Sequence, residues 1–188
     1  METGHAFFVS GIPMPEWLAL RRPEFAEVRI ASPEERVRFT IGLAEENVRQ
    51  KTGGPFAAAV FDRRTDRLVS AAVNVVVPSG QSLAHAEMMA IAAAQESEKT
   101  LDLSMFELVS SCEPCVMCFG GILWSRITSL VYGAPADFAR KTGFDEGDKV
   151  IRWKHSLKQR GIDVRGPLEV DAALAPFQLY RTLGGAVY

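Results

Sequence analysis

The sequence predicts an α/β protein, a three-layer α/β/α sandwich built around a mixed sheet. Three observations carry that prediction. Two apolar runs of strand length, at residues 56–61 and 68–73, flank the turn Asp62-Arg63-Arg64-Thr65-Asp66 and read as an antiparallel hairpin. Beyond the hairpin, helix-like and strand-like segments alternate, which is the pattern of parallel βαβ units. The chain has 188 residues, 47% of them hydrophobic and 23% charged, which is enough for one well-buried domain without a disulfide framework.

The elements follow in order. Residues 1–31 hold Pro13, Pro15 and Pro23 and read as an arm with one short helix near Trp17. Its apolar residues Phe7, Phe8, Val9, Trp17 and Leu18 suggest packing against the rest of the chain. Ser32-Pro33-Glu34-Glu35 is a helix start, with Ser32 as cap, Pro33 at the first helical position and Glu35 completing a capping box. Val37, Ile41, Ala44 and Val48 continue at helical spacing until Gly53-Gly54. After the hairpin, Pro78-Ser79-Gly80 is a loop. Residues 84–99, rich in Ala, Met and Glu, form a helix. A strand at 106–110, a helix from Pro114 to about Trp124, and a strand at 130–132 stopped by Gly133-Ala134-Pro135 complete the core. A short helix at 135–143, a loop at 143–147, an amphipathic helix at 148–160, two short strand candidates at 162–164 and 168–170, and a helix over 172–183 follow.

Lysine plus arginine is 21 and aspartate plus glutamate is 23, a net charge of −2 that asks for no polyanionic partner. No apolar run is long enough to span a membrane. The three cysteines lie together at Cys112, Cys115 and Cys118. That clustering points to metal or thiol chemistry in a reducing compartment, and with no signal segment at the start it predicts a cytoplasmic protein.

Two short segments carry chemistry. His85-Ala86-Glu87 opens one helix, and Glu113-Pro114-Cys115-Val116-Met117-Cys118 opens the next. Two thiolates and one imidazole suit zinc and leave a fourth tetrahedral position for water, whose pKa zinc brings down to about 7. Glu87, two residues from His85, is placed to carry protons between that water and a substrate. Either segment alone is weak. Together, separated by a strand, they are the signature of zinc-dependent deaminases. One zinc per chain is expected. Cys112 is the candidate fourth ligand of a purely structural zinc, but it sits at a strand end before Pro114. His5 and His155 have no motif around them.

At these residues the chain resembles the cytidine deaminase superfamily, over roughly residues 34–146. The resemblance implies a mixed five-stranded sheet, His85, Cys115 and Cys118 as zinc ligands, Glu87 as proton shuttle, and a dimer or larger oligomer, with a homodimer expected. Gly54-Pro55-Phe56-Ala57-Ala58, Asn74 and Gly143-Phe144-Asp145-Glu146 are similar to its guanine deaminase branch. That branch implies Glu146 as a second acid in the substrate pocket, where the family often has Asp. It also implies a C-terminal segment exchangeable between subunits. Asn74 and Trp124 are the further substrate contacts, with Phe56 and Ala86 beside them, although Phe56 also reads as core. The organisation expected is one deaminase domain over 1–188: an arm (1–31), a zinc-binding core (32–146) and a C-terminal helical extension (147–188).

The expected reaction is hydrolysis of guanine to xanthine and ammonia. An ionised acid accepts from guanine N1–H and the 2-amino group but faces an acceptor at adenine N1, a polar mismatch that discriminates strongly. The alternatives are deamination of guanosine, cytosine or an amino-triazine such as ammeline, tRNA adenosine deamination, and a zinc-stabilised binding module. Residues 140–165 hold eight Lys/Arg against four Asp/Glu, yet no aromatic interleaving that would stack bases, so nucleic acid is a weak expectation. An intact Glu87 and an absent fourth ligand argue against the binding module.

Overall fold

In the computed structural model, which describes residues 11–187, helices and strands alternate as the sequence predicts. The chain begins with α1 (Glu16–Leu20), α2 (Arg22–Ala26) and α3 (Pro33–Arg49). The hairpin β1 (Ala57–Asp62) and β2 (Leu68–Val73) follows, then α4 (Val76–Ser79) and α5 (Ala86–Glu98). The segment β3 (Phe106–Cys112), α6 (Val116–Ser125), β4 (Ser129–Ala134) and α7 (Ala136–Thr142) completes the centre. The chain ends with α8 (Trp153–Gln159), β5 (Asp163–Arg165), α9 (Val170–Ala173) and α10 (Ala175–Thr182).

The five strands form one sheet in the order β2-β1-β3-β4-β5. β1 runs antiparallel to both β2 and β3, while β3, β4 and β5 are parallel, so the sheet is mixed. Side chains alternate across it. Ala57, Ala59, Phe61, Val109 and Val131 join one apolar cluster with Val37, Ile41 and Ala44 of α3 and Phe177 of α10. Ala58, Val60, Leu108 and Leu130 join the other with Ala90, Ala94 and Ile122 of α5 and α6. Because both faces are covered, β1, β3 and β4 are buried along nearly their whole length and read as continuous apolar runs.

Local differences from the expected elements have local causes. The Ser32 side chain caps α3 by accepting the Glu35 N–H, and its hydroxyl donates to the Glu34 carboxylate at 2.8 Å, so only the first half of the capping box forms. The left-handed residue after α3 is Lys51, φ 57°, not a glycine. Gly53 is needed for a different reason: a Cβ there would lie 1.9 Å from the backbone oxygen of Asn74. Among its described residues the arm holds two short helices, and Trp17 Nε1 donates to Thr52 Oγ1 at 3.0 Å while Leu18 is buried. His5, Phe7, Phe8 and Val9 lie outside the described residues. Pro78 falls inside α4 rather than in a loop. The amphipathic helix starts only at Trp153, because the preceding residues turn Lys149 inward. Residues 168–170 make no strand: Leu168 gives a single bond to the Tyr132 carbonyl before α9 begins. The extension over 147–188 is thus not purely helical, since β5 completes the edge of the sheet.

Candidate active site

His85 and Cys115 occupy equivalent places. Each is the N-cap of its helix, α5 or α6, with extended backbone, and neither side chain is spent on capping. Both therefore turn towards the space between the two helix starts. Cys118 follows on the first turn of α6. The Nδ1 of His85 lies 3.5 Å from the Cys115 sulfur and 3.7 Å from the Cys118 sulfur. All three ligand atoms fall within 4.8 Å of one another. One nitrogen and two sulfurs converging on one point, at two helix starts, is a donor set that fits zinc. Without the ion, the Cys118 thiol hydrogen-bonds to Cys115 and draws it down to about 4 against the opposing effect of burial, while Cys118 itself is pushed up. His85 is held above its ordinary value; burial opposes this, but the bond to Cys115 and its charge outweigh it.

Glu87 is buried on the first turn of α5. One carboxylate oxygen accepts from Ser110 Oγ at 3.1 Å, and the other lies 3.4 Å from the Cys118 sulfur. Burial, and after it the charge of Cys115, raises its pKa. Glu146 is also buried, and burial followed by the charges of Cys115 and Glu87 pushes it up to about 8. Both acids are thus held towards their neutral forms beside the ligands, and a divalent cation there would favour their ionised forms.

The cleft beside these groups is lined by Asn74, Phe56, Glu146 and Glu87, with Glu113, Phe144 and Asp145 at its sides. Asn74 Oδ1 accepts the Val76 N–H at 3.3 Å, which leaves the amide NH2 for the cleft. Phe56 and Phe144 meet edge to face at 4.9 Å, and Phe177 backs Phe56 at 5.3 Å. Asp145 shapes the loop by accepting the Gly147 N–H at 2.9 Å. Glu146 lines the same cleft as His85 and Cys115.

His85, Cys115, Glu87, Asn74, Phe56 and Glu146 are brought together at this cleft, with Cys118 behind them. Two expected contacts are not. Trp124 stands at the far end of α6, nine residues from Cys115, and is 87% exposed, outside the lining of this cleft. Ala86 is fully buried in the cluster between the sheet and α5. Cys112 sits in the opposite apolar cluster, outside the ligand group, and burial keeps it protonated. Phe144 and Glu113 lie in motifs the sequence showed but were given no role there, and Ser110 was not singled out. Asn47 was also missed: it is buried in α3 and donates at 2.9 Å to the carbonyls of both Gly54 and Asn74.

Residues 32–134 match the model of the cytidine and deoxycytidylate deaminase zinc-binding region. A guanine deaminase of Bacillus subtilis is 31% identical over 145 residues, covering 77% of this chain and 91% of that protein. A solved structure of a guanine deaminase from Nitrosomonas europaea is 40% identical, covers 93% of this chain and 97% of that one, and superposes with a TM-score of 0.85. A variant of the protein NE0047 in complex with 8-azaguanine gives 40% identity, 96% and 100% coverage and a TM-score of 0.87.

Proposed function

The chain belongs to the cytidine and deoxycytidylate deaminase zinc-binding family, in its guanine deaminase branch, and on that premise we propose that it hydrolyses guanine to xanthine and ammonia. The observation that carries the choice of base is Glu146, a buried carboxyl brought into the cleft beside the ligand cluster.

His85, Cys115 and Cys118 would hold the zinc, one ion per chain. When bound, zinc supplies Lewis acidity that makes a water nucleophilic at neutral pH. Glu87 would take one proton from an attacking water and deliver it to a ring nitrogen as the oxygen bonds to the ring carbon, then carry the remaining hydroxyl proton to the amino group as the carbon–nitrogen bond breaks and ammonia leaves. Its raised pKa suits a group that must both take and give. Ser110 holds one oxygen of that carboxylate in place. Glu146 accepts from N1–H and the 2-amino group, and its ionised form is favoured once those donors face it. The free amide of Asn74 reads the carbonyl edge, and Phe56 and Phe144 supply apolar walls.

The tRNA reading loses support from the basic segment. Lys149 is turned inward on Glu113, Arg140 pairs with Asp137, and Arg165 pairs with Asp163. Ammonia release from guanine, guanosine, adenine, cytosine and ammeline tests the proposal. Guanine should lead; faster turnover of adenine or cytosine would overturn it.

We also infer a single-domain homodimer in the cytoplasm. α6 leaves Trp124 87% and Val116 41% exposed on one apolar helix, a surface suited to a second copy. No helix among the described residues is long and apolar enough to cross a membrane. Light scattering on Trp124→Glu should show a monomer; an unchanged dimer would place the contact elsewhere.

A further inference from the structure

The loop that carries Glu146 is tied to the turn that carries the zinc ligand Cys115. The Val116 N–H, next to Cys115, donates to the Glu146 carbonyl at 3.1 Å. Gly147 seats so closely that a Cβ would lie 2.4 Å from Val116 Cγ1. The strongest tie is ionic. Lys149 Nζ donates to the Glu113 carboxylate at 2.5 Å and to the Pro114 carbonyl at 2.6 Å. Its side chain is 5% exposed and that of Glu113 15%, and the ammonium lies 4.6 Å from the centre of the Trp153 ring.

We propose that Lys149, through Glu113 and Pro114, is a positioning residue for Glu146. It holds the base-reading acid at a fixed reach from the metal-ligand turn. A buried ammonium with two close acceptors and an aromatic neighbour is an anchor with little freedom, and breaking it strands the remaining charge. Neither residue of the pair is a zinc ligand. Loss of the anchor should therefore loosen the grip on the base without emptying the metal site. A half-ångström to one-ångström shift of a substrate-reading group is enough to cost affinity.

This inference rests on the reading of Glu146 as the guanine-binding acid. The test uses zinc-loaded Lys149→Met, which keeps the apolar stem, Glu113→Gln, and the double variant. Each single variant should raise the guanine KM about tenfold, with kcat changed less than about threefold and about one zinc per chain retained. The double variant should be no worse than either single one, because the two act as a unit. An unmoved KM, additive losses, or loss of zinc in step with activity would overturn the proposal. If one variant fails to fold, the other removes the same pair from its opposite end and decides alone. Wild-type turnover of guanine is measured alongside. If the wild type turns over a different ring, the choice of base fails, and Lys149 is then judged by the same KM and kcat split on that ring.

Discussion

Ser110 and Glu87 meet at 3.1 Å, the hydroxyl of the central strand donating to the carboxylate on the first turn of α5. The same hydroxyl accepts the Cys112 N–H, so its one proton is committed to Glu87. The acid at the centre of the cleft is therefore aimed from the sheet, not only from its own helix.

Glu87→Ala should keep about one zinc per chain and lose turnover by ~10²–10⁴ or more, since a shuttle used twice contributes in both steps. Metal analysis and guanine kinetics on the same preparation check this. A variant retaining more than about a tenth of the wild-type rate would remove Glu87 from the proton path.

Cys118→Ala should lose the zinc, because two remaining protein ligands, one nitrogen and one sulfur, hold it too weakly. Cys112→Ala should keep the metal, since its sulfur lies outside the ligand group. Equal loss from both variants would make Cys112 a ligand.

Glu146→Gln replaces a pure acceptor with an amide of the same size. Losing a charge-assisted bond to the base should cost about 1.5–3 kcal/mol, or roughly 10- to 150-fold in kcat/KM for guanine, with zinc content unchanged. Asp145→Asn, which retains an oxygen for the Gly147 N–H, should lose less. An unaltered kcat/KM in Glu146→Gln would make this an ordinary loop acid.

The same variant has a pH signature in metal-stripped protein. Burial holds Glu146 up to about 8 in the fold, whereas in the unfolded chain a glutamate ionises near ~4.3. Between those values the folded state binds the extra proton, so wild-type stability falls as pH rises from about 4.5 to 8. Glu146→Gln has no such proton to lose. Its unfolding free energy should match the wild type most closely at pH 5 and gain on it up to pH 9, by at most about 4–5 kcal/mol, read from denaturant unfolding at each pH. A difference that is flat across this range would contradict the raised value.

The metal centre was legible because its information is local. His85, Glu87, Cys115 and Cys118 lie in two segments of three and four residues, and each segment fixes its geometry with one helix start. The sheet was legible for a related reason: its strands are short apolar runs bounded by turns. Long-range polar partners were not. Asn47 reads as part of the polar face of α3, yet it is buried and fastens Asn74 from 27 residues away. Lys149 reads as one charge in a basic amphipathic helix, but it leaves the helix to reach Glu113, 36 residues back. Trp124 was misplaced because an apolar helix such as α6 does not reveal which face meets the pocket, and this end of it meets solvent. The rule that glycine ends helices also misled: Gly53 matters for what passes over it, not for a dihedral.

The ligands sit at helix starts anchored on the sheet, while Glu146 sits on a connecting loop after α7. This separates two kinds of heritable change. If Glu146 reads the base as proposed, substitutions in 143–149 can alter which ring is accepted while the three metal ligands stay in place. On that reading, ring choice and metal holding are separately mutable, one in a connecting loop and the other at two helix starts.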